Sequence, residues 1–147
     1  MMEGFFSNQG NLALLLTGLI GVVFTIYGTA LFLKAEASLD WPTTRGEVMV
    51  SELDVDNDRD GVTFRAEICY RYVLPSGEYV SNRVFFGHQI STSSSVAAAK
   101  VKNRYRVGQS VAVHYDPANE SESVLEPGVN GLVKVVLIIG TALMVIA

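Results

Sequence analysis

Apolar positions fall along this chain in three rhythms: unbroken, alternating and helical. The unbroken one comes first. Residues 12–33 run without a charged, Asn, Gln or Pro side chain, and roughly 20 such residues at the helical rise are what a bilayer core of about 30 Å requires. The pattern predicts a transmembrane helix over 12–34, preceded by a short interfacial lead-in, 1–11, whose only charge is Glu3. A secretory leader is the competing reading. Ala35-Glu36-Ala37 has the small-x-small form of a cleavage site, but no basic segment precedes the run, which exceeds the roughly 15 apolar residues of a leader. Lys34 to Asp40 continues as helix former, and Pro42 disfavours helix at Trp41, whose ring suits headgroup depth.

From Arg45 the rhythm changes to two. Val48 and Val50 alternate with Glu47, Met49 and Ser51 as a first strand, which the acidic stretch Asp54 to Gly61 interrupts as a loop. Phe64, Ala66, Ile68, Tyr70, Tyr72 and Leu74 then recur at strict alternation opposite Arg65, Glu67, Cys69 and Arg71, the signature of a half-buried strand. Pro75-Ser76-Gly77 predicts a turn, with the hairpin returning over 79–86. Ser94 or Ser95 can cap a short helix through about Arg106, with Val101 and Tyr105 inward and Gly108 closing it. Val111, Val113 and Tyr115 mark another strand, ended by Asp116-Pro117, and Val124-Leu125 a brief last one.

A second apolar segment lies within 129–147, its run from Leu132 broken only by Lys134. Its residues 132–147 reach about 24 Å, short of a crossing, which suggests a native helix continuing past Ala147. The pattern predicts an α+β membrane protein: two transmembrane helices, 12–34 and 129–147, flanking a soluble, mainly antiparallel β domain over 35–128 with about five strands and one short helix. At 147 residues there is room for one compact domain. The net charge of −4, with Lys and Arg scattered, leaves no basic surface for nucleic acid. The single cysteine, Cys69, excludes an internal disulfide and every multi-cysteine metal site.

Two constellations carry candidate function. In the first helix Thr17, Gly21, Thr25 and Thr29 recur every fourth residue with Gly18 and Gly28 beside them, a small-residue face that lets another helix approach closely. In the acidic stretch, Asp56, Asp58, Asp60, Gly61 and Glu67 satisfy the spacing of a calcium loop, in which alternate carboxylates converge on one hard cation. The alternation from Phe64 onward is strand and not the helix such a loop needs, and it favours a solvated acidic hairpin loop over a metal site. His88 and His114 stand at no metal-ligand spacing. No motif places Ser91 to Ser95 or Cys69 beside them as a nucleophile, so the expectation is a protein that is not an enzyme and needs no cofactor, calcium aside.

Trp41-Pro42, Arg45-Gly46-Glu47-Val48, Tyr70-Arg71-Tyr72, Gly77-Glu78-Tyr79, Tyr105-Arg106-Val107-Gly108-Gln109-Ser110-Val111, His114-Tyr115-Asp116-Pro117 and Ser123-Val124-Leu125-Glu126-Pro127-Gly128 occur in an order and spacing that resembles the bacterial two-helix membrane proteins of domain-of-unknown-function family 3592. The resemblance implies a small β-rich domain held between two membrane helices in a bacterial inner membrane, with no reaction to carry over. Lys34, Arg45 and Lys134 lie on the domain side of the apolar runs, which favours a cytoplasmic domain. The expected role is a non-catalytic accessory or scaffolding subunit, homo- or hetero-oligomeric, that meets partner helices through the small-residue face. The alternative is an anchored binding or sensor module whose acidic loop takes calcium or a cationic partner.

Overall fold

The computed structural model describes residues 3–87 and 91–146, with side chains from Gly10 onward. The chain forms two compact units, one of residues 36–128 and one of residues 1–35 with 129–147. The second consists of helices α1 (Glu3–Ala37) and α3 (Gly131–Ile146). Within α1 and the turn after it, Gly10–Asp40 is apolar throughout most of its length, mean hydropathy 2.0, and is the one helix among the described residues long and apolar enough to cross a membrane. α3 is apolar too, but its 16 residues span only about 24 Å.

α1 stops where the sequence requires. One 3-10 turn, Ser38–Asp40, follows it, and Trp41 before the proline is extended, with φ −65° and ψ 141°. The indole does not lie free for a headgroup layer. It is buried edge-on against Phe86, with ring centroids 5.6 Å apart, so it belongs to the β domain's own packing.

The β domain is a five-stranded antiparallel sheet in the order β3-β2-β1-β4-β5, formed by β1 (Thr43–Asp58), β2 (Gly61–Leu74), β3 (Gly77–Ser81), β4 (Ser110–Asp116) and β5 (Asn119–Val124). Helix α2 (Ser95–Arg104) packs on β2 and β1, its first turn capped by the Ser94 hydroxyl, which accepts from the Ala97 N–H at 3.2 Å. The core is Val48, Ile68, Tyr70, Tyr72, Leu74, Val84, Val113 and Leu125, with Val101, Tyr105, Val111 and Tyr115 packed against it.

Three strand expectations are corrected. The acidic stretch is not a loop: β1 continues to Asp58, and only Arg59 and Asp60 make the turn between Asp58 and its partner Gly61. Alternation of Asp54, Asp56 and Asp58 with Leu53, Val55 and Asn57 never breaks period two, so the ladder with β2 continues through it. Second, Val48 and Val50 do not share a face. Met49 is an extra residue in the ladder, Val48 opposing Tyr70 and Val50 opposing Cys69, so Ser51, Leu53 and Val55 join Val48 on the inner side. The bulge sits where the backbone of Val48 is held on its other side: its N–H donates to the Gln109 carbonyl at 3.0 Å and its carbonyl accepts from Gly108 at 2.8 Å. Gly108 has φ +82°, open to glycine. Third, the returning strand ends at Ser81 and not at Phe86. Val84 and Phe86 turn inward, and the Val84 carbonyl accepts from the N–H groups of Leu125 (3.0 Å) and Glu126 (2.6 Å).

That last link curls the sheet so that its edges, β3 and β5, come together. Tyrosines fasten the seam: the Tyr72 hydroxyl donates to the Glu120 carbonyl at 2.6 Å, and the Tyr70 hydroxyl bonds the Arg83 carbonyl at 2.8 Å and Ser123 Oγ at 3.0 Å. Burial raises the pKa of both phenols, so they remain neutral donors.

Candidate functional site: a helix face and an acidic arm

The small-residue face of α1 is a packing surface for α3, which runs antiparallel to it: Leu137 lies at Gly28, Gly140 at Thr25 and Met144 at Gly21. A Cβ on Gly140 would stand 2.8 Å from Thr25 N, and one on Gly21 2.9 Å from Met144 N, so any larger side chain at either position forces the helices apart. The Thr25 hydroxyl bonds the Gly21 carbonyl at 2.8 Å and lies 3.3 Å from Met144 Sδ. Thr17 and Thr29 return their hydroxyls to their own helix, to Ala13 and Thr25 carbonyls. Gly21, Thr25 and Gly28 are thus taken up by the chain's own second helix. Gly18 lies beside a shallow, open apolar concavity with Asn11, Leu14, Leu15, Leu19 and Val22. Gly140 was missed in the sequence, where a lone glycine in a bulky apolar run was the available signal.

The four residues with calcium-loop spacing do not converge. Asp56 opposes Thr63, Asp58 opposes Gly61, and Glu67 opposes Glu52, six residues before Asp58 on the same strand, a separation of about 20 Å at the rise of a strand. Among the described residues no three His, Cys, Asp or Glu side chains gather as a metal ion requires. The stretch is instead an arm. Strand β4 pairs with β1 only from Thr43 to Glu47, and β3 pairs with β2 only from Tyr70 to Leu74. The hairpin beyond them projects past both strands, and on its β2 side Phe64 exchanges backbone hydrogen bonds with Thr92, at 2.7 and 2.9 Å. Register puts Glu52, Asp54, Asp56 and Asp58 with Arg65 and Glu67 on the arm's outer face, and Leu53, Val55, Val62 and Phe64 on its inner face. Arg65 Nη2 is 2.6 Å from Asp54 Oδ2. No such bond is made by the carboxylates of Glu52 and Asp56 among the described residues.

Beside the arm's base lies a polar cleft of about 220 Å³ lined by Arg65, Glu67, Asn82, Arg83, Val84 and Phe85. Arg65 there is already held by Asp54. The remaining chemistry-bearing residues are dispersed. His114 sits in β4 opposite Thr43 and Val124, its Nδ1 buried with no partner among the described residues and its pKa lowered by burial. The Asp116 carboxylate accepts from Ala118 N–H at 2.9 Å and caps the turn. Cys69 opposes Val50 on the outer face, its thiol pushed up by burial and then by Glu67, away from the reactive thiolate. His88 lies outside the described residues. Tyr105 and Arg104 both bond Glu126 Oε1, at 2.7 and 2.6 Å, tying the end of α2 to the segment after β5.

No curated protein and no solved structure matches this chain. A family model does, over residues 44–130, a span that starts in β1, takes in the bulge, the arm, the tyrosine seam and α2, and ends after β5. The chain therefore belongs to the family described as Domain of unknown function (DUF3592).

Proposed function

We propose that this chain is a non-catalytic accessory or scaffolding subunit of a bacterial inner membrane, anchored by α1 with α3 packed beside it as a second span, and that its β domain docks other proteins. The observation that carries the reading is the outward face of α1. Leu15, Leu19 and Ile26 are 72, 61 and 66 % exposed, and a face of that apolar area is covered in a cell by lipid or by other helices. Because Gly21, Thr25 and Gly28 are occupied by α3, a partner helix is proposed to meet the outward face of Leu15, Leu19 and Ile26. Lys34, Arg45 and Lys134 favour a cytoplasmic domain. No cofactor is needed for this role.

Fractionation tests it. The full chain is expected in the membrane pellet, resistant to carbonate and released only by detergent, with a native mass above that of one chain. A monodisperse chain in the detergent-free supernatant would overturn the reading. Leu15→Ala/Leu19→Ala is expected to reduce the native mass while α1 and α3 stay paired. Labelling of a cysteine at Asn57, in a Cys69→Ser background, with an impermeant reagent on intact cells reads the side of the membrane.

A further inference from the structure

The arm leaves a sheet edge open. Past Val48, whose backbone is bonded to Gln109 and Gly108, and Ser51, whose hydroxyl reaches the Tyr105 carbonyl at 2.5 Å, the outer edge of β1 from Glu52 to Asp58 has no strand beside it among the described residues. Alternate N–H and C=O groups along such an edge are a template for another strand. Its side chains then dictate which strand. On the outer face an added strand would meet Glu52, Asp54, Asp56 and Asp58; on the inner face it would meet Leu53 and Val55, the latter 52 % exposed. Over residues 52–67, acids outnumber Arg59 and Arg65 by four, which equals the net charge of the whole chain, −4, so acidic and basic residues balance over the rest of the protein.

A second copy is a poor occupant, because pairing two such edges sets carboxylate against carboxylate. A segment of alternating basic and apolar residues satisfies both faces at once: each Lys or Arg faces a carboxylate and each aliphatic side chain extends the apolar strip of Leu53 and Val55. We infer that the edge Glu52 to Asp58 is a β-augmentation site for an extended cationic segment of a partner protein, in which basic and aliphatic residues alternate. The inference names the partner chemistry of the docking domain proposed above and rests on that reading. Arg65, the one cation on the arm's outer face, is engaged by Asp54 and lies on the far strand, so it leaves Glu52, Asp56 and Asp58 to the incoming chain.

The test uses the full chain in detergent and a fluorescent peptide of about eight residues alternating Lys and Val. The alternating peptide is expected to bind and a block peptide, all Lys then all Val, to bind at least about tenfold more weakly, since only alternation presents one charged and one apolar face. Two N-methylated versions, one at every Lys and one at every Val, block opposite edges of the peptide; one is expected to lose binding and the other to keep it. Glu52→Gln/Asp56→Asn/Asp58→Asn, all exposed substitutions, is expected to weaken binding about tenfold with an unchanged melting temperature. Equal binding of the block peptide, or retention of binding by both N-methylated peptides, would reduce the arm to a patch of charge and overturn the inference. So would no binding by a chain that still sediments with membranes, an outcome that leaves the anchoring itself intact.

Discussion

Strand β1 is one continuous element with two different halves. Gly46 to Val48 is bonded on both edges, to β2 on one side and to β4 with Gly108 and Gln109 on the other, and Gly46 and Val48 are buried, whereas residues 52–58 have one neighbouring strand among the described residues and five exposed positions in a row at the tip. Both halves alternate in sequence and both pair with β2. What separates them is the company on the other edge, so a strand's contribution to stability is set by how many sides are covered more than by its own propensity.

Substitutions measured by urea denaturation of the full chain in detergent can break this contrast. The largest effect belongs to Tyr70, fully buried opposite Val48 and bonded to Arg83 and Ser123. Tyr70→Ala is expected to cost about 3–5 kcal/mol, the range for emptying an aromatic site, and a loss below about 1 kcal/mol would mean that the seam is not the core. Next comes Gly46. A Cβ there would lie 2.6 Å from Val113 Cγ2 and 2.9 Å from the Arg71 carbonyl, so Gly46→Ala is expected to cost about 1–3 kcal/mol through overpacking; a neutral result would show that β4 shifts away freely.

His114, on β4 between Thr43 and Val124, gives a smaller, pH-dependent effect. Burial holds its folded-state pKa below the ordinary imidazole value. The unfolded chain then binds more protons, so the stability present above about pH 6.5 is lost as pH falls through the depressed value. His114→Gln is expected to flatten stability across that window, and an unchanged slope would reassign it to carboxylates. Smallest is the open half: Asp56→Asn is expected to stay within about 0.5 kcal/mol, and amides of the arm to exchange with solvent faster than those of Gly46 and Val48. A cost above about 1 kcal/mol at Asp56 would show that residues 52–58 are held by more than β2.

Much of the fold was legible because local rules agreed with the outcome. The inward set from Phe64 to Leu74, the cap at Ser94, the stop before Pro42 and the strand Val111 to Tyr115 all follow from periodicity and backbone chemistry that act within a few residues. Acidic composition misled at Asp54 to Asp58, where alternation counted and charge did not. The bulge at Met49 was invisible because its cause, the bonding of Val48 to Gln109 and Gly108, lies some sixty positions away. The helix face could be seen on α1, but its occupant, centred on Gly140, emerged only when α3 lay beside it.

By itself, then, the sequence determined the elements whose causes are local: an apolar helix of membrane length, antiparallel strands, one capped helix and a concentration of carboxylates between residues 52 and 67. Tertiary structure alone decided which strand edges close and which stay open, which side of the Met49 bulge faces the core, and which helix fills the small-residue face. Those outcomes depend on groups distant in the chain competing for the same hydrogen bonds and the same space, and no local pattern records who wins that competition.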